Sequence, residues 1–379
     1  MPAGAEPGYN PAMSTIRYKS GTSAALFFVA GGLITLLASQ SAGQNPLQDR
    51  ASLVTWRIQS SGTTASLRGV SSVNGQAAWA SGAEGTFLRT IDGGASWTAG
   101  KVPGAETVDF RDIEAFSADT AFLMGIASPA RIFKTEDGGR TWTEQYHNDT
   151  EGIFLDAFAF FDEKNAVAIG DPRDGRFLVL VSADGGLSWA PIPFPDRPEA
   201  LAGEGAFAAS GTCLAVLGTS EAWFCSGGPS PRVFRSADRG RTWQAAASPL
   251  GADKASAGGF SLLFWNPQHG VMVGGDYKDE PSPFKNAAVS RDGGRTWDLV
   301  ETHPPSGFRE CVAVLPGTSP PFLIAVGPSG SDLSRDGGRI WTPIPCPSGL
   351  HSISFSKKGG TGWAVGRNGL IVKCVLRAD

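Results

Sequence analysis

Nothing in this sequence is spaced to hold a metal ion or a nucleotide. Its four histidines, His147, His269, His303 and His351, are scattered, and its five cysteines form neither a zinc spacing nor a haem C-x-x-C-H, so the usual ligand sets are missing. No G-x-G-x-x-G stands after a strand-like and before a helix-like stretch, which leaves a dinucleotide without its cradle and argues against an oxidoreductase. Basic runs are absent too. With 32 Lys and Arg against 36 Asp and Glu the formal charge is −4, which suits nucleic acid poorly. Only four tyrosines occur, so a tyrosine nucleophile would have few places to stand. We expect no cofactor, no metal and no nucleic-acid partner.

The longest apolar run is short. Arg17 and Lys19 precede A-A-L-F-F-V-A-G-G-L-I-T-L-L-A, about fifteen residues, and small residues follow around Ser41 to Gly43. A membrane span needs about 20, whereas a charged start, a short apolar centre and a small-residue end are the pattern of a secretory signal. The expectation is a signal peptide over residues 1–43, with Met13 as a second candidate start. The alternative is an uncleaved anchor, the one membrane attachment considered. Its removal takes away Arg17, Lys19 and Glu6 and leaves a formal charge of −5, as an exported, periplasmic or extracellular bacterial protein.

What the chain has is a phrase that returns six times: Ser or Thr, a residue, Asp-Gly-Gly or a close variant, and then Trp. It reads T-I-D-G-G-A-S-W at Thr90 to Trp97 and S-R-D-G-G-R-T-W at Ser290 to Trp297. The box aspartates Asp92, Asp137, Asp184, Asp238, Asp292 and Asp336 are separated by 45, 47, 54, 54 and 44 residues, a period that fits a four-stranded propeller blade. The carboxylate can accept backbone N–H groups of its own turn, and the glycines take the positive φ that a Cβ penalises. The Trp then buries its ring between sheets. All six boxes read as structural.

Trp56, in L-V-T-W-R-I-Q, behaves as a box Trp without a box, while the stretches after His351 supply three strands and stop before any box. Pairing the N-terminal strand into the last blade gives seven blades and removes two open edges. The fold class is therefore all-β, a single seven-bladed, WD40/YVTN-like propeller over residues 44–379, read as a monomer. Export makes the cysteines worth pairing. Cys213 and Cys225 flank G-T-S-E-A-W symmetrically in one hairpin and are the candidate disulfide; Cys311, Cys346 and Cys374 leave an odd thiol in any scheme.

Chemistry in a propeller belongs on the face away from the box turns. Aligning the blades on the glycine that ends each second strand (Gly82, Gly125, Gly170, Gly218, Gly274, Gly327, Gly366) forms a column of Arg68, Arg111, Asp156, Glu204, Phe260, Arg309 and His351. Six of the seven are ionisable, which marks either a solvated channel mouth with internal ion pairs or a site for a charged ligand or partner. Loops on the same face add Asp171, Arg173 and Arg176 from G-D-P-R-D-G-R-F, then Asp276, Tyr277 and Lys278 from G-G-D-Y-K-D-E-P, and Trp223 beside a Gly- and Pro-rich loop.

G-A-E-G-T-F-L-R-T-I-D-G-G-A-S-W in blade 1 and G-R-N-G-L-I-V-K in blade 7 resemble the Asp-box, or bacterial neuraminidase, repeat as it occurs in the photosystem II stability/assembly factor family and its exported bacterial relatives. The similarity runs over residues 50–379. It implies a non-catalytic scaffold that holds another protein during assembly, with arginines on one face meeting the client; Arg68, Arg111 and Arg309 are the positions here that could play that part. The competing class is a glycoside hydrolase. Sialidases share the boxes and use three arginines, a Tyr nucleophile with Glu, and an Asp acid/base. The same three arginines and Tyr277 could imitate that set, although F-R-D-I and F-R-E-C replace the sialidase F-R-I-P.

Overall fold

The structure, a computed structural model, describes residues 54–251, 253–356 and 360–376; the expected signal segment lies outside the described residues. Seven antiparallel sheets form, one per blade. Blade 1 runs Leu67–Ser72, Ala78–Gly82, Thr86–Thr90 and Thr98–Lys101 from axis to rim. The last blade is completed from the other end of the chain, because Val54–Gln59 pairs antiparallel with Ile371–Leu376, Trp56 opposite Cys374. Closure by the N-terminal strand is thus as expected.

Each blade is graded in polarity because each strand has a different neighbourhood. Second strands such as A-W-A-S-G at Ala78–Gly82 and A-F-L-M-G at Ala121–Gly125 are buried at every residue, since the adjoining blades cover both faces of the sheet. The outermost Thr98–Lys101 is mostly exposed. Between blades, Trp79 Nε1 donates to Ser117 O at 3.0 Å and Trp223 Nε1 to Gly293 O at 2.9 Å, so two of the largest buried rings find their polar partner in the next blade.

The boxes are small hydrogen-bonded knots. In blade 1, Thr90 Oγ1 donates to Asp92 Oδ1 at 2.8 Å and accepts from Gly94 N at 2.9 Å. Asp92 Oδ1 also takes Ser96 N at 3.0 Å, and its Oδ2 takes the Ser96 hydroxyl at 2.6 Å. That hydroxyl and the turn amides hold the Asp92 carboxyl down to about 2. Asp137 sits at about 2 for the same reason, with Thr141 in the place of Ser96. The last box lacks this bond, because Ile340 stands where the other boxes have Ser or Thr. Gly93 and Gly94 have φ of 70° and 78°, the left-handed region that a side chain would strain.

The expected disulfide is not formed: all five cysteines are free thiols. Cys213 and Cys225 do face each other across the hairpin, but Cys225 N donates to Cys213 O at 3.0 Å. They therefore occupy a hydrogen-bonded pair position of the antiparallel ladder. The Cys225 thiol points to Cys213 O at 3.7 Å instead. Burial pushes both thiols well up from the ordinary cysteine value, which keeps them protonated and unreactive.

Two outcomes test this fold. Deleting residues 54–59 exposes the edge of the last blade and lowers the melting temperature by more than about 10 °C; an unchanged, monomeric truncation refutes closure. Alkylation of the unfolded, non-reduced protein followed by mass mapping labels both Cys213 and Cys225, and a recovered 213–225 cross-link refutes the free pair.

Candidate functional site

Five blades carry a β-bulge at the same place on the innermost strand. Leu67 pairs with Gly82 and Gly69 with Ser81, which leaves Arg68 as the extra residue. The same shift isolates Arg111, Asp156, Phe260 and His351 in blades 2, 3, 5 and 7. A bulge turns the unpaired residue out of the pleat, here at the axial end of the strand. The facing glycine is what admits it: a Cβ on Gly170 would stand 2.1 Å from Phe154 O, and one on Gly366 2.0 Å from Gly349 O.

Blade 6 obeys the rule with its register moved by one. Gly327 lies against Phe308 O and the Cα of Arg309, so Glu310 is the bulged residue and Arg309 takes the place of Leu67. Arg309 is accordingly buried, its Nε 2.7 Å from Asp332 Oδ2 and its Nη1 2.7 Å from Phe308 O. It is a structural ion pair and corrects the expectation of a partner-facing arginine. Blade 4 departs altogether. Gly218 closes the turn between its first two strands, and the second strand, Glu221–Cys225, ends later. Glu204 is therefore no column residue; it is buried against Arg232 Nε at 3.1 Å and the Ser226 hydroxyl at 2.6 Å.

In place of a bulge, blade 4 sends residues 206–211 across the axis as a strap. Arg111 Nη1 donates to Ala208 O at 3.0 Å. The Ser210 hydroxyl donates to Glu310 O in blade 6 at 2.9 Å, and Thr212 Oγ1 to Ser261 Oγ in blade 5 at 2.7 Å. Gly211 is packed so closely on Asp112 that a Cβ would meet Oδ1 at 2.1 Å. Above the strap lies a cavity of about 730 Å³, lined among others by Arg68, Arg111, Asp171, Tyr277, Glu310, His351 and Arg367. A second cavity of about 600 Å³ opens below it toward the boxes, lined by Asp112, Glu114 and Ser210 through Thr212.

The upper cavity is cationic on one side. Arg111 is held by Asp109 at 2.8 Å and Arg367 by Glu280 at 2.9 Å. Arg68 has poorer compensation, with Glu310 at 3.8 Å and His351 Nδ1 at 3.4 Å, because Glu310 Oε2 is already 2.7 Å from that same histidine nitrogen. Burial and then the neighbouring Arg111 pull Arg68 below the ordinary arginine value. The opposite wall is aromatic: Phe207 stacks on Phe260 at 4.0 Å and 7°, and Tyr277, 45% exposed, meets both rings edge-on at 6.1 and 6.3 Å.

Residues 48–145 match the family model described as Photosynthesis system II assembly factor YCF48. The chain resembles the YCF48 assembly factors. The structure of YCF48 bound to a D1 peptide is 18% identical, with 85% of this chain and 97% of that one covered at a TM-score of 0.59. YCF48 from Cyanidioschyzon merolae is 16% identical over 84% and 98%, at 0.51. Virginiamycin B lyase from Staphylococcus aureus has the higher TM-score of 0.62, at 12% identity over 86% and 100%. At such identities the likeness is one of fold. No curated protein sequence matches the chain.

On this YCF48-like ring, Arg68, Arg111, Asp171, Tyr277 and His351 are brought together, and the other expected residues are not. Trp223 is fully buried, stacked on Phe264 at 3.9 Å. Arg176 is tied to Glu199 at 2.6 Å and Arg173 sits at the tip of the same hairpin. Asp276 pairs with Lys254 at 2.9 Å, and Lys278 stands 6.0 Å over the Tyr277 ring. Arg367, which the glycine alignment missed, follows Gly366 as Asp171 follows Gly170, and both line the cavity.

Asp156 is the odd member of the bulge ring, wholly buried with neither carboxyl oxygen hydrogen-bonded to protein. Burial, reinforced by Asp171, raises it well above the usual carboxylate range. A group raised in the fold stabilises below its unfolded value and loses that contribution as the pH climbs. Asp156→Asn is therefore expected to raise the melting temperature at pH 7 to 8, with a gain that shrinks toward pH 4. A variant less stable at pH 8 than the parent overturns this.

Proposed function

We propose that this protein is a non-catalytic scaffold that holds an acidic segment of a partner protein at the upper cavity. The observation that carries the reading is Arg68: three arginines crowd one rim, and this one has its carboxylate at 3.8 Å and shared with His351. A half-desolvated guanidinium with an incomplete counter-charge is a ready partner for a carboxylate, which it can grip with two parallel N–H donors. Similarity to YCF48, solved with a D1 peptide bound, supports a protein as the partner. The N-terminal segment supports export, with the ring working as a monomer outside the cytoplasm.

Glycosidase chemistry has less support. Arg309 is buried against Asp332, so the expected arginine set of Arg68, Arg111 and Arg309 does not converge on one sugar carboxylate.

Binding of a fluorescein-labelled acidic peptide, followed by anisotropy at low salt, is expected to weaken about tenfold in Arg68→Gln and to fade as salt is added. The melting temperature is expected to stay put, since the boxes lie at the far ends of the blades. Equal affinity for both proteins refutes the reading, and so does turnover of aryl glycosides that Tyr277→Phe abolishes.

A further inference from the structure

The upper cavity is divided across its diameter. Blades 7, 1 and 2, adjacent in the closed ring, contribute Arg367, Arg68 and Arg111, while blades 4, 5 and 6 contribute Phe207, Phe260, Tyr277 and Phe308 together with Glu280, which pairs with Arg367, and Glu310, which reaches Arg68 only at 3.8 Å. Burial of the aromatic group is uneven: Phe260 and Phe308 are 4% and 1% exposed, whereas Tyr277 is 45% exposed at the mouth. Core packing uses the first two rings and leaves the third half open. The strap closes the bottom, so the space is a blind pocket of about 730 Å³, a volume in the range of single small-ligand sites.

Neither wall is satisfied by a plain acidic residue. Asp or Glu side chains would engage Arg68 and leave the tyrosine ring in water, and a plain apolar side chain would bury the ring contact beside the one guanidinium, that of Arg68, whose counter-charge is incomplete. We propose that the pocket is specific for an aromatic carboxylate, with the carboxylate between Arg68 and Arg111 and the ring packed against Tyr277 and Phe207. The inference rests on the carboxylate-binding reading above and adds the ring. The same chemistry is offered by a free aryl-alkanoic acid and by an aromatic residue at the end of a polypeptide.

Calorimetry of the whole protein with four probes decides the matter: N-acetylphenylalanine, 3-phenylpropionate, N-acetylalanine and N-acetylphenylalanine amide. The two aromatic acids are expected to bind in the roughly millimolar range open to ligands so small, about tenfold tighter than N-acetylalanine, with the amide much weaker than its acid. N-acetylphenylalanine ahead of 3-phenylpropionate marks a chain end as the natural source, and the reverse order marks a free acid. Tyr277→Ala, at a surface position that leaves the fold intact, is expected to erase the aromatic advantage while N-acetylalanine binds as before; Arg68→Gln weakens all the acids together.

Equal affinity for N-acetylalanine and N-acetylphenylalanine overturns the ring subsite and leaves the carboxylate reading standing. An amide that binds as well as the acid overturns both. No binding by either aromatic acid overturns the proposal, while the acidic-peptide measurement still decides the broader reading by itself.

Discussion

A ring of blades is only as closed as its last joint, and here that joint is a set of backbone hydrogen bonds between the two ends of the chain. The other sheets are made from strands close together in the chain, with one short exchange in which Gly227–Gly228 of blade 4 pairs onto the inner strand of blade 5. The last sheet borrows Val54–Gln59, and the borrowing reaches past the pairing itself. Gln59 accepts from Trp97 Nε1 at 3.0 Å and from Trp363 Nε1 at 3.1 Å, and its own amide donates to Gly94 O. One side chain on the closing strand thus ties the last blade to the first box. Losing that strand would open an edge, strand the N–H groups of two indoles, the buried Trp363 and the half-buried Trp97, and loosen a turn in the neighbouring blade.

The site depends on a different constraint, the bulge. An ordinary antiparallel strand sends alternate side chains into the two flanking blades, and none down the axis. In every blade but the fourth, one extra residue on the inner strand supplies the missing direction, and a glycine opposite makes room for it. Function and fold are then separable. The bulged position is free to vary, as Arg68, Asp156, Phe260 and Glu310 show, while the glycine and the apolar second strand stay under packing control.

The repeat, the seven sheets and the closing strand were legible because each rests on a local signal, the box or its counterpart at Trp56. The column was legible where the glycine alignment tracked a true bulge, in blades 1, 2, 3, 5 and 7. It slipped in blade 6 because F-R-E-C offers two adjacent charged residues, and only the pairing distinguishes Arg309, which packs inward, from Glu310. It failed in blade 4 because Gly218 imitates the marker glycine. Burial was the harder matter. Asp156 and Glu204 look like exposed rim charges in sequence, and Trp223 like a loop aromatic, whereas their solvent access is set by neighbours more than twenty residues away in the chain or in another blade.

The strap from blade 4 gives the axis a floor, and a vessel with a floor has one door. A partner segment cannot be drawn through this ring as a thread through a bead; whatever enters must leave by the way it came, end first or side chain first. Arrival and departure then compete for the same opening, and a large client resting on the rim would hold a bound group in place simply by standing in the doorway. The lifetime of such a complex would be governed by the client's footprint on the rim as much as by the grip of the arginines within.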